Sequence, residues 1–256
     1  MSTRTMVVVL ILGFLLSVAS LVSLPKKNIQ SVSVDDQVEE TYYSKGIKED
    51  SLGNYQRAII EFTKAIELDS TKAIAYYKRA TSLANSGDLE QAIIDFDKAI
   101  ILDPLFAKAY NDRGACWASL HDHKRDDKKA ISDYTKAIEI DPLCAPCYAN
   151  RSGAKAFMGD NKGAVIDLSK AIELDPDDAM KYHSRGMYKA RLKDHSSAID
   201  DYTTAIELDA TFGMTYHYSG LSKLETGDTE GACKDLSKAL ELGWERARYS
   251  FEKHCN

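Results

Sequence analysis

Cys144-Ala-Pro-Cys147 is the pair of side chains in this sequence most suited to chemistry. Two thiols at this spacing, where a helix begins, can close a local disulfide, and a helix N-terminus lowers a thiol pKa towards redox exchange. The same pair supplies half of a zinc site, but Cys116, Cys233 and Cys255 stand singly elsewhere. No βαβ pattern of the thioredoxin kind surrounds it. Packing thiols come first, then a local disulfide if the chain is exported, then metal, and catalytic redox last. Five cysteines leave at least one unpaired in a monomer, which argues against a fold built on disulfides.

The histidines and the basic residues offer two further constellations. His121 and His123 lie in a charged stretch, His121–Lys129, that reads as a solvated loop and a contact site rather than a metal site. Lys45, Arg79, Arg113, Arg151 and Arg185 recur at one position, and Glu61, Asp95, Asp133, Asp167 and Asp201 follow them at matched positions. A stripe of cations for an acidic ligand is one reading; a ladder of base–acid pairs between helices is the other, and recurrence of both partners favours the ladder. There is no Gly-rich phosphate loop, no H-E-x-x-H and no nucleophile elbow. The chain therefore reads as a non-enzyme, with no catalytic residue, no metal and no cofactor.

These residues sit on a repeating frame. Ala65, Ala99, Ala137, Ala171, Ala205 and Ala239 are spaced by 34, 38, 34, 34 and 34 residues, and Tyr42, Tyr76, Tyr110, Tyr148, Tyr182 and Tyr216 by 34, 34, 38, 34 and 34. Each copy predicts two helices. A Gly-Asp turn such as Gly87-Asp88 joins them, the second carries apolar residues at helical spacing (Ala92, Ile93, Phe96, Ala99, Ile100), and Asp103-Pro104 or Asp175-Pro176 ends it. Small residues at Gly46, Ala80, Gly114, Ser152, Gly186 and Gly220 allow close helix approach, and Phe62, Phe96, Tyr134, Leu168, Tyr202 and Leu236 fill the gaps.

This pattern resembles the tetratricopeptide repeat over residues 39–246, in six copies: 39–72, 73–106, 107–144, 145–178, 179–212 and 213–246. It departs from the family in the arginines, which stand where leucine is usual, and in Ser70, Ala210 and Trp244, which replace the closing proline. The resemblance implies an all-α, right-handed superhelical solenoid, with a C-terminal capping helix over 244–256. It implies a concave face built from the first helices, where an extended segment or helix of a partner protein would lie. Carried onto this sequence, that groove comprises Tyr43, Ile47, Tyr77, Thr81, Asn111, His183, Met187, His217 and Leu221. The lysine–asparagine carboxylate clamp of some members is absent, since Tyr43 with Ile47 and Tyr77 with Thr81 occupy its places.

Ahead of the repeats, residues 6–24 contain no ionisable side chain. Such a run, helical and apolar all round, is long enough to cross a hydrocarbon core of about 30 Å. Residues 1–27 thus read as a cleaved signal peptide or an uncleaved anchor, and 28–38 as a polar linker, which places the repeats at a membrane or outside the cytoplasm. The net charge of −6 gives no basic face for nucleic acid. The expected function is a protein-binding scaffold; the alternatives are an exported thiol-active protein using Cys144 and Cys147, and a self-associating structural component of the envelope.

Overall fold

A computed structural model describes residues 34–121 and 125–255. The expectations placed on residues 6–24, on their cleavage or anchoring, and on residues 122–124 lie outside the described residues. Within them the chain is helical throughout. The first pair is α1 (Val34–Ser51) and α2 (Tyr55–Leu68), then α3 (Ala73–Asn85) with α4 (Leu89–Leu102), and α5 (Ala107–Ser119) with α6 (Asp127–Ile140). Next come α7 (Ala145–Phe157) with α8 (Asn161–Leu174), α9 (Ala179–Arg191) with α10 (His195–Leu208), and α11 (Gly213–Thr226) with α12 (Thr229–Glu241). A 3-10 turn at Glu245–Ala247 leads into α13 (Arg248–His254). The first helix begins inside the stretch 28–38 read as a linker, so residues 34–38 are helical rather than tether.

Aspartates explain why the second helices begin and end where they do. Asp88, Asp126, Asp160, Asp194 and Asp228 each accept a hydrogen bond from the backbone N–H three residues on, satisfying a donor that the helix itself leaves free. At the other end, Asp103 and Asp141 turn the chain by accepting from the backbone N–H two residues on. At two of the three places where the closing proline is missing, the threonine that follows ties down the turn. Thr71 donates both its N–H (2.9 Å) and its hydroxyl (2.6 Å) to Asp69, and Thr211 does the same to Asp209 at 2.9 and 2.7 Å. These bonds hold both carboxyls below their usual pKa.

Packing follows the small-and-large alternation. All twelve alanines of the second helices, from Ala58 and Ala65 to Ala232 and Ala239, are fully buried, as are Phe62, Phe96, Tyr202 and Leu236. The facing position must be small: a Cβ on Gly186 would stand 2.8 Å from the Tyr202 ring. At the C-terminal end, Trp244, Ala247 and Phe251 pack on Leu236 and Ala239, covering the last pair as an array of this kind requires. A Cys233–Cys255 disulfide fastens this cap to α12. The sequence reading left these two cysteines single; they meet because the last segment folds back outside the 34-residue period.

One turn breaks the pattern. Gly87, Gly159 and Gly227 adopt φ of 93°, 88° and 85°, and Lys193 occupies the equivalent place at 69°. Left-handed backbone costs a Cβ-bearing residue roughly 1–2 kcal/mol. Part of this is offset in Lys193→Gly by the greater freedom of glycine in the unfolded chain. Lys193→Gly is expected to raise the unfolding free energy by about 0.5–1 kcal/mol, read from urea denaturation; a loss of stability would mean the lysine is not strained.

Candidate functional site

The basic residues form the ladder rather than a ligand stripe. Arg79 grips Asp95 with Nε and Nη2 at 2.7 and 2.8 Å, and Arg113, Arg151 and Arg185 hold Asp133, Asp167 and Asp201 in the same two-pronged way. The third nitrogen of each reaches back to the preceding repeat: Arg79 to Thr63 (3.1 Å), Arg113 to Asp97, Arg151 to Thr135 (3.0 Å) and Arg185 to Ser169 (3.2 Å). Each guanidinium therefore ties three helices, with all three of its nitrogens engaged within the protein. The first rung fails. Glu61 pairs with Lys64 one turn along its own helix at 2.7 Å, while Lys45 is exposed and lies over the Tyr42 ring. In the last three repeats a lysine four residues on reinforces the acid: Lys155 to Asp167, Lys189 to Asp201 and Lys223 to Asp235.

The two cysteines at the start of α7 are joined in a Cys144–Cys147 disulfide, with Cys147 fully buried. Cys116 is free and buried, and burial with Asp112 nearby pushes its thiol up to about 12. No group of three or more His, Cys, Asp and Glu able to hold a metal occurs among the described residues.

The expected groove residues divide into three sets. In the first repeats Tyr43 and Ile47 are half-buried, Tyr43 against Phe62 with ring centroids 5.8 Å apart. Tyr77 donates to Asp112 (2.8 Å), Asn111 donates to the same carboxylate (2.9 Å), and Asn150 donates to Asn111 (3.1 Å). This polar line crosses three repeats on the first-helix face. Burial raises the Tyr77 pKa, and the Asp112 carboxylate adds to it. Asp112 and Asn150 were missed by the sequence reading; their signal is a spacing from their partners one or more residues away from the 34-residue period. Beside the line, Thr81, Ala84, Asp112 and Ala115 border a cavity of about 330 Å³.

His183 and His217 are not groove surface. His183 is 2% exposed, shares a 3.0 Å hydrogen bond with Thr215, and is enclosed by the rings of Tyr202, Phe212 and Tyr218. Burial pushes its pKa down to about 4. His217 is also buried, its pKa lowered by desolvation and by Arg246. The reason is the aromatic content of the last two repeats: Phe212 and Tyr218 close over a position that smaller neighbours would leave open. Met187 and Leu221, in contrast, line a second cavity of about 810 Å³ between α9, α11 and α13.

The charged loop expected to be solvated is docked at its described end. Arg125 pairs with Asp127 at 2.8 Å and stacks over Phe157, 3.8 Å from its ring centre.

Six helical hairpins stacked in register, with half-buried polar and apolar side chains along the first helices, define a helical-repeat interaction scaffold. The chain belongs to the tetratricopeptide repeat family: models of that repeat match residues 39–72, 73–106, 118–142, 145–178 and 182–212. No curated protein matches the sequence at a significant level. Among solved structures it is similar to YrrB, described as a TPR protein with an unusual peptide-binding site, at 25% identity and a TM-score of 0.66 over 75% of this chain and 97% of that one. PilF of Pseudomonas aeruginosa superposes with a TM-score of 0.70 at 16% identity, covering 82% of this chain and 94% of that one. MamA of Desulfovibrio magneticus RS-1 gives 0.63 at 20% identity, over 71% and 99%. The last two likenesses concern the fold alone.

Proposed function

We propose that this protein holds an extended segment or helix of a partner protein along the first-helix face of its solenoid. The observation that carries the reading is the Tyr77–Asp112–Asn111–Asn150 line with the open cavity beside it. Pre-set donors and acceptors next to apolar space fix a peptide backbone while leaving its side chains to be sorted by shape. The likeness to a peptide-binding repeat protein supports the same use.

The scaffold works at a membrane or beyond it, through residues 6–24. Their 19 positions without an ionisable side chain support this location, as does a pair of disulfides, which persist in oxidising compartments. No helix among the described residues is long and apolar enough to cross a membrane. The tether therefore rests on residues 6–24.

A photo-crosslinking residue at Thr81 of the full-length chain, expressed in its native host, tests the groove. Thr81 borders the cavity and its hydroxyl bonds only the carbonyl of Lys78 within its own helix, so its replacement leaves the polar line whole. One dominant protein adduct is expected. A folded protein with no adduct would remove the groove reading. Carbonate extraction of the same cells should leave the chain in the membrane pellet or show it exported, and release from the cytosol would remove the membrane reading.

A further inference from the structure

The larger cavity differs from the rest of the first-helix face in two respects. First, it holds polar atoms that nothing in the protein satisfies. The Tyr202 hydroxyl, on a side chain that is fully buried, has no hydrogen-bond partner, and neither ring nitrogen of His195 has one. Leaving such a group buried and unpaired costs about 1–3 kcal/mol, so a ligand that reaches Tyr202 and His195 gains hydrogen bonds for which no group of the protein competes. Second, its charge opposes that of the whole chain. Arg191 and Lys253 line it and make no ion pair among the described residues, resting instead over the rings of Tyr188 and Tyr249. Glu225 is the single carboxylate in the lining. The ladder arginines, in contrast, are all paired, and the smaller cavity near the other end of the face carries Asp112. The two cavities thus differ in charge: the lining of the smaller one carries one carboxylate, and that of the larger one two cations against one carboxylate.

Met187, Leu221 and Leu224 supply the apolar part of the lining. Its outer wall is α13, which contributes Tyr249, Ser250, Lys253 and His254 and is held in place by the Cys233–Cys255 disulfide at its end. A short terminal helix tied down in this way is a fixed wall rather than a fraying end.

We propose that this cavity is a specificity pocket for an acidic segment of the partner protein. An apolar side chain enters against Met187, Leu221 and Leu224, and a neighbouring carboxylate meets Arg191 and Lys253. Tyr202 and His195 take hydrogen bonds from the segment itself. The pocket deepens the groove reading above and rests on it, adding the chemistry and the direction of the bound chain: the acidic stretch lies over the last two repeats.

The test uses the oxidised full chain and a fluorescein-labelled octapeptide of alternating glutamate and leucine, with the glutamine–leucine octapeptide as control, followed by fluorescence anisotropy. Saturable binding of the glutamate peptide is expected, at least tenfold tighter than the control and weakening as salt rises. Arg191→Gln with Lys253→Gln should cost at least tenfold; both side chains are exposed and unpaired, so circular dichroism should be unchanged. Tyr202→Phe, which removes the orphaned hydroxyl and keeps the ring, should weaken binding severalfold. Replacing Cys233 and Cys255 by serine should weaken it too, by releasing the wall. Equal binding of the two peptides, no saturable binding, or an unchanged affinity in the Arg191 and Lys253 double variant would overturn the pocket. The Thr81 crosslink distinguishes the failures: an adduct that survives there leaves the groove reading standing without the pocket, and its absence removes both.

Discussion

Arg79→Ala is expected to lower the unfolding free energy by about 3–5 kcal/mol, while Arg151→Ala costs only about 1–2. The two arginines make equivalent bonds, so the difference lies in what each leaves behind. Removing Arg79 strands Asp95, which is 6% exposed and has no second base among the described residues. Removing Arg151 leaves Asp167 with Lys155 at 2.8 Å. The neighbouring rung shows how poorly such a carboxylate tolerates burial. Desolvation raises the Asp133 pKa even with Arg113 in place. Burying an ion pair gains little over apolar packing, whereas breaking one is expensive. Hence Arg79→Leu combined with Asp95→Leu should lie within about 1 kcal/mol of the parent, despite the loss of two charges. Urea unfolding followed by circular dichroism reads all three variants. Equal losses for Arg79→Ala and Arg151→Ala would show that the lysine rung carries no weight.

The frame of this protein was legible because a helical repeat writes each packing rule six times. The alanine series, the small position facing an aromatic, and the base–acid register all recur with the period, and contacts that recur can be read by subtraction. What was not legible is what departs from the period. Lys45 has the right register for Glu61, yet Lys64 lies one turn away on the same helix and competes successfully. Cys233 and Cys255 meet only because the cap folds back on α12. The polar line escaped for a subtler reason. Tyr77 and Asp112 are 35 residues apart and Asn111 and Asn150 are 39, so each bond joins different positions of successive repeats. His183 and His217 were assigned to the groove by position alone. The burial of His183 depends on Phe212 and Tyr218, which close over it from outside its own helix, so the information lies there rather than at the histidine.

That burial makes the last two repeats sensitive to acid. A histidine whose folded pKa sits near 4, against an ordinary 6.5, binds its proton better in the unfolded chain. The sign follows: its contribution to stability is whole above about pH 6.5 and is lost as the pH falls from 6.5 towards 4, with a slope of about 1.4 kcal/mol per pH unit. His217, depressed by burial and Arg246, acts in the same direction. Between pH 7 and pH 4.5 the loss at His183 is on the order of 2–3 kcal/mol. Carboxylates titrate over part of this range, so the comparison that isolates the histidine is with His183→Asn, which can still hydrogen-bond Thr215 and does not titrate. The parent should lose roughly 2 kcal/mol more than this variant between the two pH values; parallel curves would mean the ring is protonated as readily in the fold as outside it. Tyr202 and Tyr218 pack on His183 and also line the large cavity. If the large cavity holds the acidic segment proposed above, charging the ring disturbs two of its lining side chains, and the His183→Asn variant is expected to retain affinity for the acidic peptide to lower pH than the parent does.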